Sequence, residues 1–294
     1  MFGDNPNDAE LKAIWDDFCD TLKASSDLIF RDTTPPHDID RSKGLRLLAR
    51  NISLGLQFKL DNNDPDFPEI MHYFDPIRKQ GGDNTDAYYS GAPINGRNTY
   101  RITGHRGTAR YFAITVLEDG NTPWGGQVTG NLIDDAVIVD EDGNFELTVS
   151  PDPDPGDRGN WIQSTPDSWR LTFREFFADW ENEQPMRARI ERVNDMEHDP
   201  VLTPAEVGRG LRDTAEWVRD STLYWADMLD RWQSQPNRFL SYRQLDDNAI
   251  DATPGGEPLI CYWRVPPGEA LVVRVTPPRA DYWAVEFGNY WWET

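Results

Sequence analysis

Residues 168–176 read SWRLTFREF, and their alternation decides the kind of protein this is. Trp169, Leu171 and Phe173 share one face of an extended chain and Arg170, Thr172 and Arg174 the other, which is the pattern of a half-buried β-strand. Upstream, residues 100–118 (YRITGHRGTARYFAITVLE) carry two apolar runs around GHRG and predict a hairpin with glycines at both ends of its turn. Val137 and Val139 are expected to face Phe145 and Leu147 across Glu141-Asp142-Gly143, a loop that wants glycine last, in the left-handed conformation. Downstream, RARIERV (187–193) follows Pro185 and is expected to return antiparallel to 168–176. A β layer over about 99–193 results.

Helical periodicity brackets this layer. Leu11, Trp15, Phe18 and Leu22 recur at helical spacing behind Asp8 as a cap, and Leu45, Leu48, Ile52 and Leu56 mark a second helix within 40–60. Residues 61–98, dense in Asn, Asp, Gly and Pro, read as a long ordered loop. Thr203-Pro204-Ala205-Glu206 is a capping box with proline at the first helical position. Val207, Leu211, Ala215, Val218, Thr222, Trp225, Leu229 and Trp232 then form the stripe of a long amphipathic helix that stops at Pro236 and packs on the sheet. PLICYWRV, ALVVRVTPP and DYWAVEFGNYWW are expected to close the chain as a β-meander.

Composition narrows the functional classes. The 294 residues include 12 Trp, 13 Phe and 10 Tyr, ample material for a core. Acidic side chains outnumber basic ones 51 to 29, for a net charge of −22. Such a field repels phosphate backbones and anionic lipid, so neither nucleic acid nor a membrane is expected as a partner. Only Cys19 and Cys261 are present, and MFGDNPNDAELKAIW lacks the basic start and apolar core of a signal peptide; both features predict a cytoplasmic protein.

Most catalytic signatures fail on spacing. With Gly143 as the glycine of a calcium loop, the first and last ligand positions fall on Ile138 and Val149, which carry no oxygen ligand. No nucleophile elbow, Walker loop, dinucleotide fingerprint or H-E-x-x-H occurs, so no cofactor and no metal is expected. DDFCD (16–20) has an aspartate spacing used to hold magnesium, but on the polar side of an amphipathic helix. PDPDPGDRGNW (151–161) predicts a rigid extended loop that holds Asp152, Asp154 and Asp157 ahead of Trp161. FREFFADWENEQP (173–185) clusters Arg174, Glu175, Asp179, Trp180, Glu181 and Glu183. Paired carboxylates beside aromatic rings are what glycoside hydrolysis requires, which makes Glu175 and Asp179 the candidate catalytic pair of an acid/base hydrolase or lyase.

YYSGAPINGRNTYRITGHRG, FELTVSPDPDPGDRGNWIQ, WRLTFREFFADWENEQPMRARIERV and the terminal DYWAVEFGNYWWET, in that order, resemble the bacterial family called domain of unknown function twelve-fourteen, sometimes joined to domain twelve-fifty-four. The resemblance spans roughly residues 80–294. It implies a β-sandwich of jelly-roll type and assigns no catalytic residues. It also makes Tyr88, Arg101, Asn160, Trp161, Arg174 and Asp179, which stand in the recurring blocks, the first candidates for a pocket. Similar proteins continue for some tens of residues past FGNYWWET, which would leave an aromatic edge strand without a neighbour here.

The combined expectation is an α+β protein: an N-terminal helical region (1–80), then an antiparallel β-sandwich (81–294) with one long helix inserted at about 203–235. Its expected role is to bind or modify a small molecule, of sugar or terpenoid type, in an aromatic-lined and acidic-rimmed pocket built from Tyr88, Arg101, Asn160, Trp161, Arg174 and Trp180. The rivals are the carboxylate enzyme and a structural protein that assembles into a homo-oligomer through its open edge.

Overall fold

The computed structural model describes residues 5–120, 122–152, 156, 159–194, 202–246, 258–280 and 282–294. Two helices come first, α1 (Asp8–Ser25) and α2 (Asp38–Leu56), the second running into a π turn at Gln57–Asp61. Asp8 sits in the first turn of α1 behind Asn7, and no side chain caps that helix. Strands β1 (Met71–Phe74), β2 (Ala87–Pro93), β3 (Tyr100–His105), β4 (Tyr111–Glu118), β5 (Val128–Ile133), β6 (Asn144–Ser150), β7 (Asn160–Gln163), β8 (Ser168–Phe176) and β9 (Arg187–Arg192) follow, then α3 (Pro204–Gln233). The fold is α+β.

The strands form a five-stranded sheet, ordered β1-β2-β8-β4-β5, and a four-stranded sheet, ordered β7-β6-β3-β9. Their inner faces meet as a sandwich. Ile102 and Leu147 of one sheet and Ile114 and Phe173 of the other are fully buried in a common core, each contributing roughly 1.5–3 kcal/mol. All pairings are antiparallel except β6 with β7, which is parallel.

The strand at 168–176 is central, and that position overturns two expected hairpins. β8 already lies between β2 and β4, so 187–192 cannot return beside it and pairs with β3 instead. β4 is buried at every interior position, the mark of a strand covered on both faces and flanked on both sides. It therefore pairs with β8 and β5, while β3 pairs with β6 and β9. The GHRG segment is thus a crossing from one sheet to the other. Gly107, at φ +76°, passes so close to Gln184 that a Cβ would stand 2.3 Å from its carbonyl oxygen, which only glycine allows.

Three further expectations change. The stretch 61–98 holds β1 and β2, so the sheet begins before residue 81. Gly91 in β2 approaches β8 so closely that a Cβ would lie 2.3 Å from the oxygen of Leu171; a residue that reads as a breaker is there for close approach. Residues 140–143 turn as expected, with Gly143 at φ +84°, but 137–139 form no strand. The Asn160 side chain takes that place, accepting from Ile138 N (2.7 Å) and donating to the carbonyls of Ile138 (2.8 Å) and Glu146 (3.0 Å).

The expected C-terminal meander is also absent among the described residues, where one bridge, Leu240 to Ile260, stands alone. Side chains rather than a ladder hold this segment: Tyr282 donates to Asp86 (3.0 Å) and Glu286 accepts from Thr85 (2.8 Å). Its end is tucked in, with Trp291 buried and donating to the Asp40 carbonyl.

The long helix forms as its sequence dictates. Thr203 and Glu206 make the reciprocal capping bonds, and the stripe from Leu211 to Trp232 is buried. It packs on α1 and α2 and, with them, covers the outer face of the five-stranded sheet, where Tyr73 joins Trp217, Trp225 and Trp232 in a second core.

Candidate functional site

That second core is where the chemistry concentrates. Strand alternation puts Arg170, Thr172 and Arg174 of β8 on the outer face, in the layer under the helices. Thr172 stands opposite Gly91 and Thr115, Arg174 between Tyr89 and Ala113, and Arg170 between Pro93 and Leu117. Both guanidinium groups lie against aromatic rings. Arg170, only 5% exposed, lies 4.0 Å from the ring centre of Phe58 and 5.0 Å from that of Tyr73. Arg174 lies 5.3 Å from the ring of Tyr89. Among the described residues neither makes an ion pair.

The electrostatics follow from burial. Desolvation pushes the Arg170 guanidinium below its usual range, with Tyr73 opposing. Burial and then the neighbouring Arg170 lower Lys59. The phenol of Tyr89 is raised to about 12, chiefly by burial, against the pull of Arg174. Burial raises Tyr242 as well, and Arg174 again opposes it. A cation in an apolar interior is costly unless something compensates it, and ring faces supply part of that compensation.

Across the layer, two amides reach down from the helical side. Asn51 of α2 donates to Thr222 (3.0 Å) and Gln80 to Ser221 (3.0 Å). Gly81 and Gly82, both at positive φ, press the 80–84 loop against Trp225 and Trp292, and Trp232 and Tyr242 contact the Trp292 ring. Among the described residues, seven buried polar atoms here meet no protein partner: Asn51 Oδ1, Gln80 Oε1, Trp124 Nε1, Arg170 Nη2, Arg174 Nε, Trp225 Nε1 and Trp232 Nε1. Buried polar groups are ordinarily satisfied, so this concentration sets the layer apart. A half-open cleft of about 60 Å³ between α2 and β1 borders this layer at Asn51, Tyr73 and Gln80, with Arg50, Arg78 and Lys79 also in its lining. It has room for a few waters or one small polar group. Its cations are paired, Arg50 with Glu293 (2.6 Å), Arg78 with Asp75 (3.3 Å) and Lys79 with Asp83 (3.6 Å).

Both arginines and Tyr89 lie within residues 84–179, which match the family described as "Protein of unknown function (DUF1214)". A crystal structure of an uncharacterized protein from Burkholderia cenocepacia is similar over 84% of this chain and 68% of its own, at 29% identity and a TM-score of 0.76. A structure from Vibrio parahaemolyticus matches 53% of this chain and 44% of its own, at 13% identity and a TM-score of 0.29. No curated protein matches the chain. The cleft residues Arg50, Asn51, Tyr73 and Gln80 lie upstream of the matched stretch.

The eight residues singled out from sequence do not converge. Tyr88 and Trp180 meet (5.0 Å between rings), with Phe177 stacked on Trp180 at 4.4 Å. Glu175 stands opposite Tyr88 on the inner face of the sandwich. It is 1% exposed, accepts from Met186 N (2.7 Å), and is raised by burial to about 7. Asp179 lies in an exposed turn, accepting from Asn182 Nδ2 (2.7 Å) and Glu181 N (3.1 Å), bonds that lower its pKa. The two carboxylates share no hydrogen-bond partner among the described residues, so each is occupied locally rather than poised as an acid/base pair. Arg174 faces the other side of the same sheet. Arg101, paired with Glu191 (2.6 Å), Trp161, donating to Ser150 (3.2 Å), and the bridging Asn160 belong to the four-stranded sheet. Asp154 and Asp157 of the acidic loop lie outside the described residues.

Sequence reasoning missed Arg170, Tyr73, Asn51 and Gln80. One signal was available: a strand that alternates Arg-Thr-Arg against Trp-Leu-Phe under a Trp-rich helix has both faces covered, which buries its arginines.

Proposed function

We propose that this is a small-molecule-binding protein whose ligand enters the layer between the five-stranded sheet and helices α2 and α3 through the cleft beside Arg50, Tyr73 and Gln80. The concentration of unpartnered buried polar atoms in this layer supports the reading, because such groups are retained where something other than the fold satisfies them. The cleft's aromatic residues are Tyr73 and Phe74, and none of the pocket residues expected from the sequence lines it. The rim differs, being basic where an acidic one was expected.

Native mass spectrometry of the purified protein, repeated after denaturation, tests this reading. A stoichiometric adduct that is lost on denaturation is the expected result. A protein without adduct that also binds none of a panel of small aromatic compounds would sink it.

Assembly has one observation in its favour. Val272 is 70% and Phe287 65% exposed, in a segment that no ladder covers. An exposed apolar extended segment can pair with another chain. Light scattering that returns the mass of a single chain would exclude that reading.

A further inference from the structure

A surface that shares no residue with the cleft lies just past the end of β8. We infer that the Trp180 ring and the turn at 179–183 form a docking face for an organic cation of quaternary-ammonium type. This goes beyond the binding reading above and does not depend on it. Trp180 is 40% exposed, although one face of its indole is stacked on Phe177 at 4.4 Å and 26°. Tyr88 lies 5.0 Å from Trp180 and 5.4 Å from Phe177, steeply inclined to both. A ring laid over the other face of the indole would stand much farther from Phe177 than that, so Tyr88 flanks the stack. The second indole face is therefore the one left open, held in a fixed orientation by the buried Phe177. Among the described residues no Lys or Arg lies over it.

The chemistry beside that face is negative. The carbonyl of Asp179 accepts from Asn182 N (3.2 Å) and Glu183 N (2.9 Å), a tight turn that keeps Asp179, Glu181 and Glu183 beside the ring. No Lys or Arg occurs between Glu175 and Met186, and none pairs with these three carboxylates among the described residues. The bonds within the turn also discriminate between ligands. Both oxygens of Asp179 and Oε2 of Glu183 already accept from groups of the turn itself, which leaves few acceptors to grip the hydroxyls of a sugar. Charge attraction needs no free lone pair. A cation without hydrogen-bond donors, set against a ring face beside fixed negative charge, is satisfied by what this surface offers.

Fluorine NMR of the full chain labelled with 5-fluorotryptophan tests this, with choline and its neutral isostere 3,3-dimethylbutan-1-ol as probes. Trp180→Leu identifies the Trp180 resonance among those of the 12 tryptophans, and Trp180→Phe does so if the first variant fails to fold. Choline is expected to move that resonance saturably and to bind about ten-fold or more tighter than the isostere, which has the same shape and no charge. The Glu181 side chain makes none of the turn's bonds among the described residues. Glu181→Gln should therefore leave the turn intact and weaken choline about two- to five-fold, and added salt should weaken it as well. An unmoved Trp180 resonance, a shift confined to other tryptophans, equal or tighter binding of the isostere, or an affinity indifferent to both Glu181→Gln and salt overturns the inference. The cleft contains no tryptophan, so failure here leaves the cleft reading standing, and the reverse holds.

Discussion

Glu175 shows how one residue can look catalytic and carry a structural penalty instead. Its carboxyl is raised from the usual 4.5 to about 7 by burial between the sheets. A folded-state value above the unfolded one means that the folded protein holds this proton more tightly. The associated stability is therefore fully present below about pH 4.5 and is lost as pH rises through about 7. Glu175→Gln keeps an oxygen to accept from Met186 N and cannot ionise. It is expected to raise stability at pH 8 by about 2–3 kcal/mol, each tenfold gain in proton affinity being worth ~1.4 kcal/mol, with little change at pH 5. Urea denaturation at both values checks this, and an unchanged pH slope in the variant would refute it. Nothing in FREFFADWENEQP marks Glu175 as inward and Asp179 as outward, because the strand ends between them and the period of two stops applying.

At the scale of elements, legibility followed how local the signal was. The capping box and stripe of α3 involve residues within a few turns of one another, and both were readable. Thr203→Ala should lose the reciprocal bonds and about 1 kcal/mol, seen as a lower melting temperature without loss of the folded baseline. Strand partners were not readable, since pairing is decided by which strands already have two neighbours. Gly91 and the short β1 were hidden among Asn, Asp and Pro for the same reason: the need for glycine comes from Leu171, far away in the chain. Gly91→Ala forces a Cβ against that carbonyl and is expected to cost roughly 1–3 kcal/mol. None of the residues that line the cleft was legible as such, since Asn51 and Gln80 are held there by Thr222 and Ser221 of α3.

Taken whole, the molecule is a sandwich with a helical layer on one side, and its protection should be graded accordingly. β4 and β8 are central, paired on both edges and covered on both faces. Residues 266–280 are exposed and outside any ladder among those described. Hydrogen exchange followed by mass spectrometry is expected to leave β4 and β8 protected the longest, while 266–280 exchanges within the first time points. Slow exchange in that segment would mean that a second chain covers it.

The crossing at GHRG also has a consequence during synthesis. β4 leaves the ribosome well before β8, its central partner, and the chain made in between supplies β5 to its other edge and β6 and β7 to the opposite sheet. Phe112, Ile114 and Val116 therefore have no finished sheet to join until the second half of the chain has been translated. A nascent chain of this protein must keep the β8 edge of β4 open while it waits, with only β5 beside it, and that interval is when a chaperone has the most to hold.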